Sequence, residues 1–178
     1  LRSIQQRVLP ELCPDRRVLG IIHPTVESIG DLTTSRHIGI LATEGTIRSK
    51  AYSLEVAKLF PDVKVSGQAC PLWAAIVEAN EADSPGADYF VKKRIDQLLV
   101  KDPEIDAIVL GCTHYSLVKD VLSKFFANAK IIDGSIGVSN QVKRKVEDII
   151  ETIENFDENN IKISSATALG AANDKIPA

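Results

Sequence analysis

Apolar residues fall along this chain in two alternating patterns. Short unbroken apolar runs, the signature of strands buried on both faces of a parallel sheet, occur at Val18–Ile22, Ile38–Leu41, Val63–Val65 and Ile105–Leu110. A further strand is predicted at Lys130–Ile132 and a last one at Ile161–Ser164. Between the runs the apolar positions recur every three to four residues, which predicts helices. These cover Thr46–Phe60, stopped by Pro61, then Pro71–Asn80, Ala87–Val100, Leu117–Phe126 and a long helix Val138–Ile153. Leu1, Ile4, Val8 and Leu12 share one helical face. The Glu81–Gly86 stretch reads as a surface loop, and the final Ala-Ala-Asn-Asp-Lys-Ile-Pro-Ala as a frayed tail. Strands alternating with helices of this length predict an α/β fold with a parallel sheet and helices on both faces.

Composition narrows the class. The 178 residues are 44% hydrophobic and 25% charged, with a net charge of −3, as expected for a globular chain able to bury a core. No apolar run approaches the ~20 residues of a membrane span. The acidic balance gives no electrostatic drive toward nucleic acid or an anionic membrane, and the basic triplets Lys92–Arg94 and Lys143–Lys145 read as solvated helix faces. Three cysteines do not make a disulfide scaffold and fit a reducing compartment. The chain contains no Met and opens within a helical pattern, so a fragment is expected.

Ligands of open parallel sheets bind beyond the carboxyl ends of the strands, and the candidate chemistry lies there. Thr43-Glu44-Gly45-Thr46 follows a strand and opens a helix, where hydroxyls and free amides suit a carboxylate or phosphate. Ordinary capping explains the same residues and is the simpler reading. Cys112 follows a strand and Gly111 and precedes a helix, an accessible setting near positive dipole ends that favours thiolate. His114, two residues on, can bind substrate, donate a proton or hold the thiolate. Against this stands a small residue filling a tight turn; Cys and His together favour a nucleophile or acid/base site. Cys70, before Pro71, reads as a buried small residue, Cys13 as structural, and Glu78 as a solvated helix residue or a carboxylate reaching the site. Metal spacing is absent, as are the Walker and Gly-x-Gly-x-x-Gly fingerprints of nucleotide sites.

Several segments resemble those of glutamate racemases. Ile38–Thr46 resembles their Thr-x-Gly-Thr segment. Ala69-Cys70-Pro71-Leu72 with Ile76-Val77-Glu78 resembles their Ala-Cys-Pro and Val-Glu segment. Leu110-Gly111-Cys112-Thr113-His114-Tyr115 matches their Leu-Gly-Cys-Thr-His-Tyr motif, and Ile131–Ser135 resembles the later Ile-Asp turn. The resemblance implies a two-domain α/β enzyme of the aspartate/glutamate racemase superfamily, without cofactor, that interconverts L- and D-glutamate with two cysteines on opposite faces of the α-carbon. It implies Cys112 as the second cysteine, with His114 and Glu78 assisting, and Thr113, His114, Thr43 and Thr46 binding glutamate. It further implies a bacterial cytoplasmic role in supplying D-glutamate for peptidoglycan, and a homodimer among the partners it allows.

The leading Asp-Ser-Gly-x-Gly-Gly and the Cys-Asn-Thr segment that carries the first cysteine are not in the sequence. Residues 20–127 are therefore expected to form the second domain, with 1–19 and 128–178 the remainder of the first, and the chain alone to be inactive. The apolar residues of Leu1–Leu12 and Val138–Ile153 are expected to be exposed. Competing expectations are another aspartate/hydantoin racemase, a non-catalytic remnant binding a dicarboxylate or a protein partner, and a phosphate-binding α/β domain using Thr43–Thr46.

Overall fold

A computed structural model describes residues 4–16, 18–30, 32–127 and 129–172, with side chains through 155. Leu1 and the tail 173–178 lie outside these residues. The chain forms two compact units, Leu1–Val138 and Ser139–Ala178.

The first unit opens with a π-type turn, Ile4–Val8, running into the single-turn helix α1, Leu9–Leu12. Ile4, Val8 and Leu12 are exposed, as their unpartnered stripe led us to expect. Val18–Ile22 is not a strand. The run is irregular until Ile22 begins α2, Ile22–Glu27, whose first turn tolerates Pro24. Leu19 and Ile21 are half exposed, so this run never enters a sheet interior.

Then β1 (His37–Ala42) leads to α3 (Glu44–Ser49) and α4 (Ala51–Leu59). The expected single helix is broken at Lys50, which adopts a left-handed conformation (φ 54°) and caps one helix while opening the next. β2 (Lys64–Ala69) is followed by α5 (Trp73–Glu78) and α6 (Pro85–Lys101), the latter capped by the Ser84 hydroxyl, which accepts from the Ala87 amide. β3 (Ala107–Leu110) runs into a 3₁₀ helix, Thr113–Val118, and α7 (Lys119–Phe125). β4 (Lys130–Asp133) ends the sheet.

All strand pairs are parallel, in the order β2-β1-β3-β4. The two faces bury separate cores. Ile38, Ile40, Ala107 and Val109 face Val26, Tyr52 and Val56 of α2 and α4, while Leu41, Ile108 and Leu110 face Trp73, Val91, Ile95 and Leu122 of α5 to α7. The alternation follows from the two-residue strand period. Gly39 makes room for α6: a Cβ there would lie 2.6 Å from Leu98 Cδ2.

The amino-terminal edge of the sheet is held by carboxylates. Asp106 Oδ1 accepts the Thr33 hydroxyl at 2.6 Å, and Oδ2 accepts the Thr34 amide and hydroxyl, both at 2.7 Å, and the Ser35 amide at 2.8 Å. Burial disfavours the charge, but these bonds outweigh it and hold the carboxyl well below the usual range. Buried Asp102 likewise overcomes its burial through His37 (2.8 Å), Lys64 (3.2 Å) and Ser66 (3.1 Å), and is held at about 2.

The helix α8, Gly134–Ala172, begins in the first unit and makes up the described part of the second. Ile161–Ser164 lies within it and is not a strand. A strand needs a neighbour's hydrogen bonds, whereas a helix satisfies its own backbone. Val142, Val146, Ile149, Ile150 and Ile153 form an exposed apolar row along it.

Candidate active site

Strand order places the site before any side chain does. From β1 the chain crosses to β2 on one side; from β2 it jumps back past β1 to β3. The segment after β1 passes to the α3–α4 face, and that after β3 to the α5–α7 face, as their cores show. The two segments therefore part between the carboxyl ends of β1 and β3, leaving the crevice where open α/β sheets bind ligands. Thr43 closes β1 and Cys112 closes β3 on either side of it.

The Thr43 hydroxyl caps α3, accepting from the Thr46 amide at 3.4 Å, and pairs with the Thr46 hydroxyl at 2.9 Å. Capping is thus present, and it also fixes two hydroxyls together at the strand end. Glu44 is exposed and paired with Arg48 at 3.2 Å.

Gly111 brings β3 close to β1. Its amide donates to the Leu41 carbonyl at 2.8 Å, and a Cβ here would lie 2.8 Å from Ala42 Cβ and 3.1 Å from Tyr52 Cε2. Cys112, half-buried, follows in an extended conformation (φ −148°) at the mouth of the 3₁₀ helix. Its Sγ lies 3.8 Å from His114 Nδ1. His114 Nε2 in turn lies 3.2 Å from Glu78 Oε1 on α5. Thiol, imidazole and carboxylate thus stand in line, each within reach of the next. Thr113 is exposed beside them.

The other cysteines differ. Cys70 is fully buried; its Sγ donates to the Gln68 carbonyl at 3.6 Å, and burial pushes the thiol up to about 12 despite Arg94 and Lys101 nearby. The reading as a buried small residue holds. Cys13 is exposed after α1.

Two further residues shape this rim through contacts that the sequence does not reveal. Tyr52 walls the Gly111–Cys112 turn; its phenol is pushed up by burial and then by the neighbouring Cys112. Tyr115 is buried, and its hydroxyl donates to the Cys70 carbonyl at 2.7 Å. Tyr115 lay inside a recognisable motif, but nothing in the sequence pointed to its partner. Among the described residues no cluster of three or more His, Cys, Asp or Glu is arranged to hold a metal ion, and no helix is long and apolar enough to cross a membrane.

Known proteins resemble this chain in sequence and in fold. The glutamate racemase of Persephonella marina is 36% identical over 140 residues, covering 79% of this chain and 53% of that protein. The structure of glutamate racemase from Francisella tularensis in complex with D-glutamate matches with a TM-score of 0.71 at 26% identity, over 83% of this chain and 54% of that one. A Bacillus anthracis glutamate racemase isoform matches with a TM-score of 0.68 at 29% identity, over 80% and 55%. The chain spans about half the length of the curated relatives it matches. The family described as Asp/Glu/Hydantoin racemase matches residues 13–136, a stretch that takes in the Thr43, Cys70 and Cys112 turns, and the chain belongs to that family.

Proposed function

We propose that this chain carries one side of the acid/base machinery of a glutamate racemase, with Cys112 as the group that takes or returns the α-proton. The observation that carries the reading is the line Cys112–His114–Glu78, at 3.8 Å and 3.2 Å, on the rim of the switch-point crevice. Family membership points to the same reaction class.

In the proposed reaction the Cys112 thiolate removes the α-proton from one face of glutamate. The electron pair stays on the α-carbon, delocalised into the adjacent carboxylate. A thiol on the opposite face then delivers a proton, and the configuration inverts. Acid and base must both work near neutrality, which suits thiols tuned by their surroundings. His114 exchanges a proton with Sγ and holds the thiolate. Glu78 orients the imidazole through Nε2. The hydroxyls of Thr43, Thr46 and Thr113 donate to the substrate's polar groups.

Neither remaining cysteine suits the opposite face. Cys70 is sealed in the core with its thiol pushed up to about 12, and Cys13 lies outside the Cys-Asn-Thr pattern. The second thiol therefore belongs, in this reading, to the half of the relatives' length that this chain does not span. We take residues 20–127 as the second domain, to whose sheet β4 adds an edge strand, with 1–19 and the remainder of 128–178 belonging with the first. The product, D-glutamate, serves peptidoglycan assembly in a bacterial cytoplasm.

Ligand protection tests the reading. In a Cys13→Ser background, D- or L-glutamate should slow alkylation of Cys112 by iodoacetamide, and inorganic phosphate should not. Equal slowing by phosphate would favour an anion-binding domain, and no slowing by either enantiomer would remove glutamate as the substrate.

A further inference from the structure

The three segments of the rim meet at one backbone residue. The Cys70 amide donates to the Ala42 carbonyl at 2.9 Å, one residue before Thr43. Its carbonyl accepts the Tyr115 hydroxyl at 2.7 Å, one residue after His114. The same carbonyl accepts the Trp73 amide at 3.3 Å, at the start of the helix that carries Glu78.

Tyr115 is held at both ends. Its own amide donates to the Cys112 carbonyl at 3.1 Å, and its ring lies 5.0 Å from that of Trp73, tilted by 59°. The side chain is fully buried. Burial raises the phenol well above its ordinary value, so it stays protonated and keeps donating. His114 therefore sits between two fixed points: Cys112 behind it, and the Tyr115 anchor on the turn that begins α5 ahead of it. Its partner Glu78 is exposed, and an ion pair of that kind contributes little energy, so Glu78 orients the ring but does not hold it alone.

We propose that Tyr115 is a positioning residue: its hydroxyl, fixed on the Cys70 carbonyl, sets where His114 stands between Glu78 and Cys112. This rests on the reading of Cys112 and His114 given above. Removing the hydroxyl leaves the ring to fill the core but frees the 3₁₀ helix to shift against α5. The imidazole then loses its register with Sγ while the fold persists.

The test needs no substrate, so it is independent of whether glutamate is the ligand. The rate of Cys112 alkylation by iodoacetamide is followed across roughly pH 6 to 9 in Cys13→Ser, with and without Tyr115→Phe, His114→Ala or both. Peptide mass mapping assigns the label. Tyr115→Phe should change the Cys112 rate roughly three- to tenfold and alter the shape of its pH profile in the same sense as His114→Ala. The double variant should add nothing to His114→Ala alone. Val121→Ala, which opens a cavity in the same core without touching the anchor, should lower the Tm and leave the profile in place. A Tyr115→Phe profile that superposes on the parent's, or a Val121→Ala profile that moves as far, would overturn the proposal. Failure of glutamate protection alongside the expected Tyr115→Phe result would remove the substrate and leave the positioning role.

Discussion

Gly111→Ala probes the joint between β1 and β3 that creates the crevice. The added methyl would lie 2.8 Å from Ala42 Cβ and 3.1 Å from Tyr52 Cε2, against about 3.5–4.0 Å for an unstrained carbon pair. Ala42 has no rotamer to change, and Tyr52 is buried at 4% exposure, so the strand end itself must move. Overpacking of this kind costs about 1–3 kcal/mol. Gly111 has a negative φ, so alanine also gains about 0.4–1 kcal/mol through the unfolded chain. The net loss is about 1–2 kcal/mol, or roughly 3–6 °C in Tm for a chain of this length. Calorimetry of the parent and Gly111→Ala measures it. Adding Ala42→Gly removes the closest contact, so the double variant should recover part of the loss instead of summing two losses. An unchanged or raised Tm in Gly111→Ala, or strict additivity in the double variant, would refute the close-approach reasoning.

Further outcomes follow from the same geometry. Cys70→Ala should lower the Tm modestly, by about 1 kcal/mol for a small buried side chain, and leave Cys112 alkylation unchanged; loss of Cys112 reactivity would mean that the Cys70 thiol takes part. Asp106→Asn should destabilise by about 1.5–3 kcal/mol, since one of its amide atoms cannot accept the bonds that Thr33, Thr34 and Ser35 donate. The folded carboxyls of Asp102 and Asp106 lie below the unfolded value of about 3.9, so their stabilisation is complete above that pH. It is lost as pH falls toward about 2, the folded value of Asp102. Asp106→Asn should therefore flatten the acid limb of the stability curve, and an unchanged acid midpoint would contradict the assignment. Ile149→Lys, on the exposed row of α8, should alter stability by less than about 0.5 kcal/mol; a large loss would mean that the row is covered in solution.

The sheet was legible because strands buried on both faces leave continuous apolar runs. Ile38–Leu41 and Ile105–Leu110 mark β1 and β3 to within a few residues. Val18–Ile22 has the same texture but no neighbour to pair with, and composition cannot report the presence of a neighbour. Lys50 carries no residue signature for its left-handed turn, since glycine or asparagine usually marks one. Ile161–Ser164 alternates like a strand, yet pairing depends on partners distant in sequence. At the site, Cys and His together at a strand end pointed to Cys112, because parallel topology sends strand ends to one edge, whereas Thr43 read more simply as a helix cap. Sequence could place Cys112 and His114 two residues apart but could not place Glu78 against His114, nor the Tyr115 hydroxyl on Cys70. Those contacts join segments 36 and 45 residues apart through packing of α5 on the 3₁₀ helix.

The central claim is that Cys112 is an acid/base group acting on the α-carbon of glutamate. Proton NMR of D- and L-glutamate in D₂O, with this chain and with Cys112→Ala, tests it most directly. The account predicts α-proton exchange of one enantiomer without inversion, abolished by Cys112→Ala, because one working thiol can remove and return a proton only on its own face. Exchange that survives in Cys112→Ala, inversion by this chain alone, or no exchange of either enantiomer would contradict it.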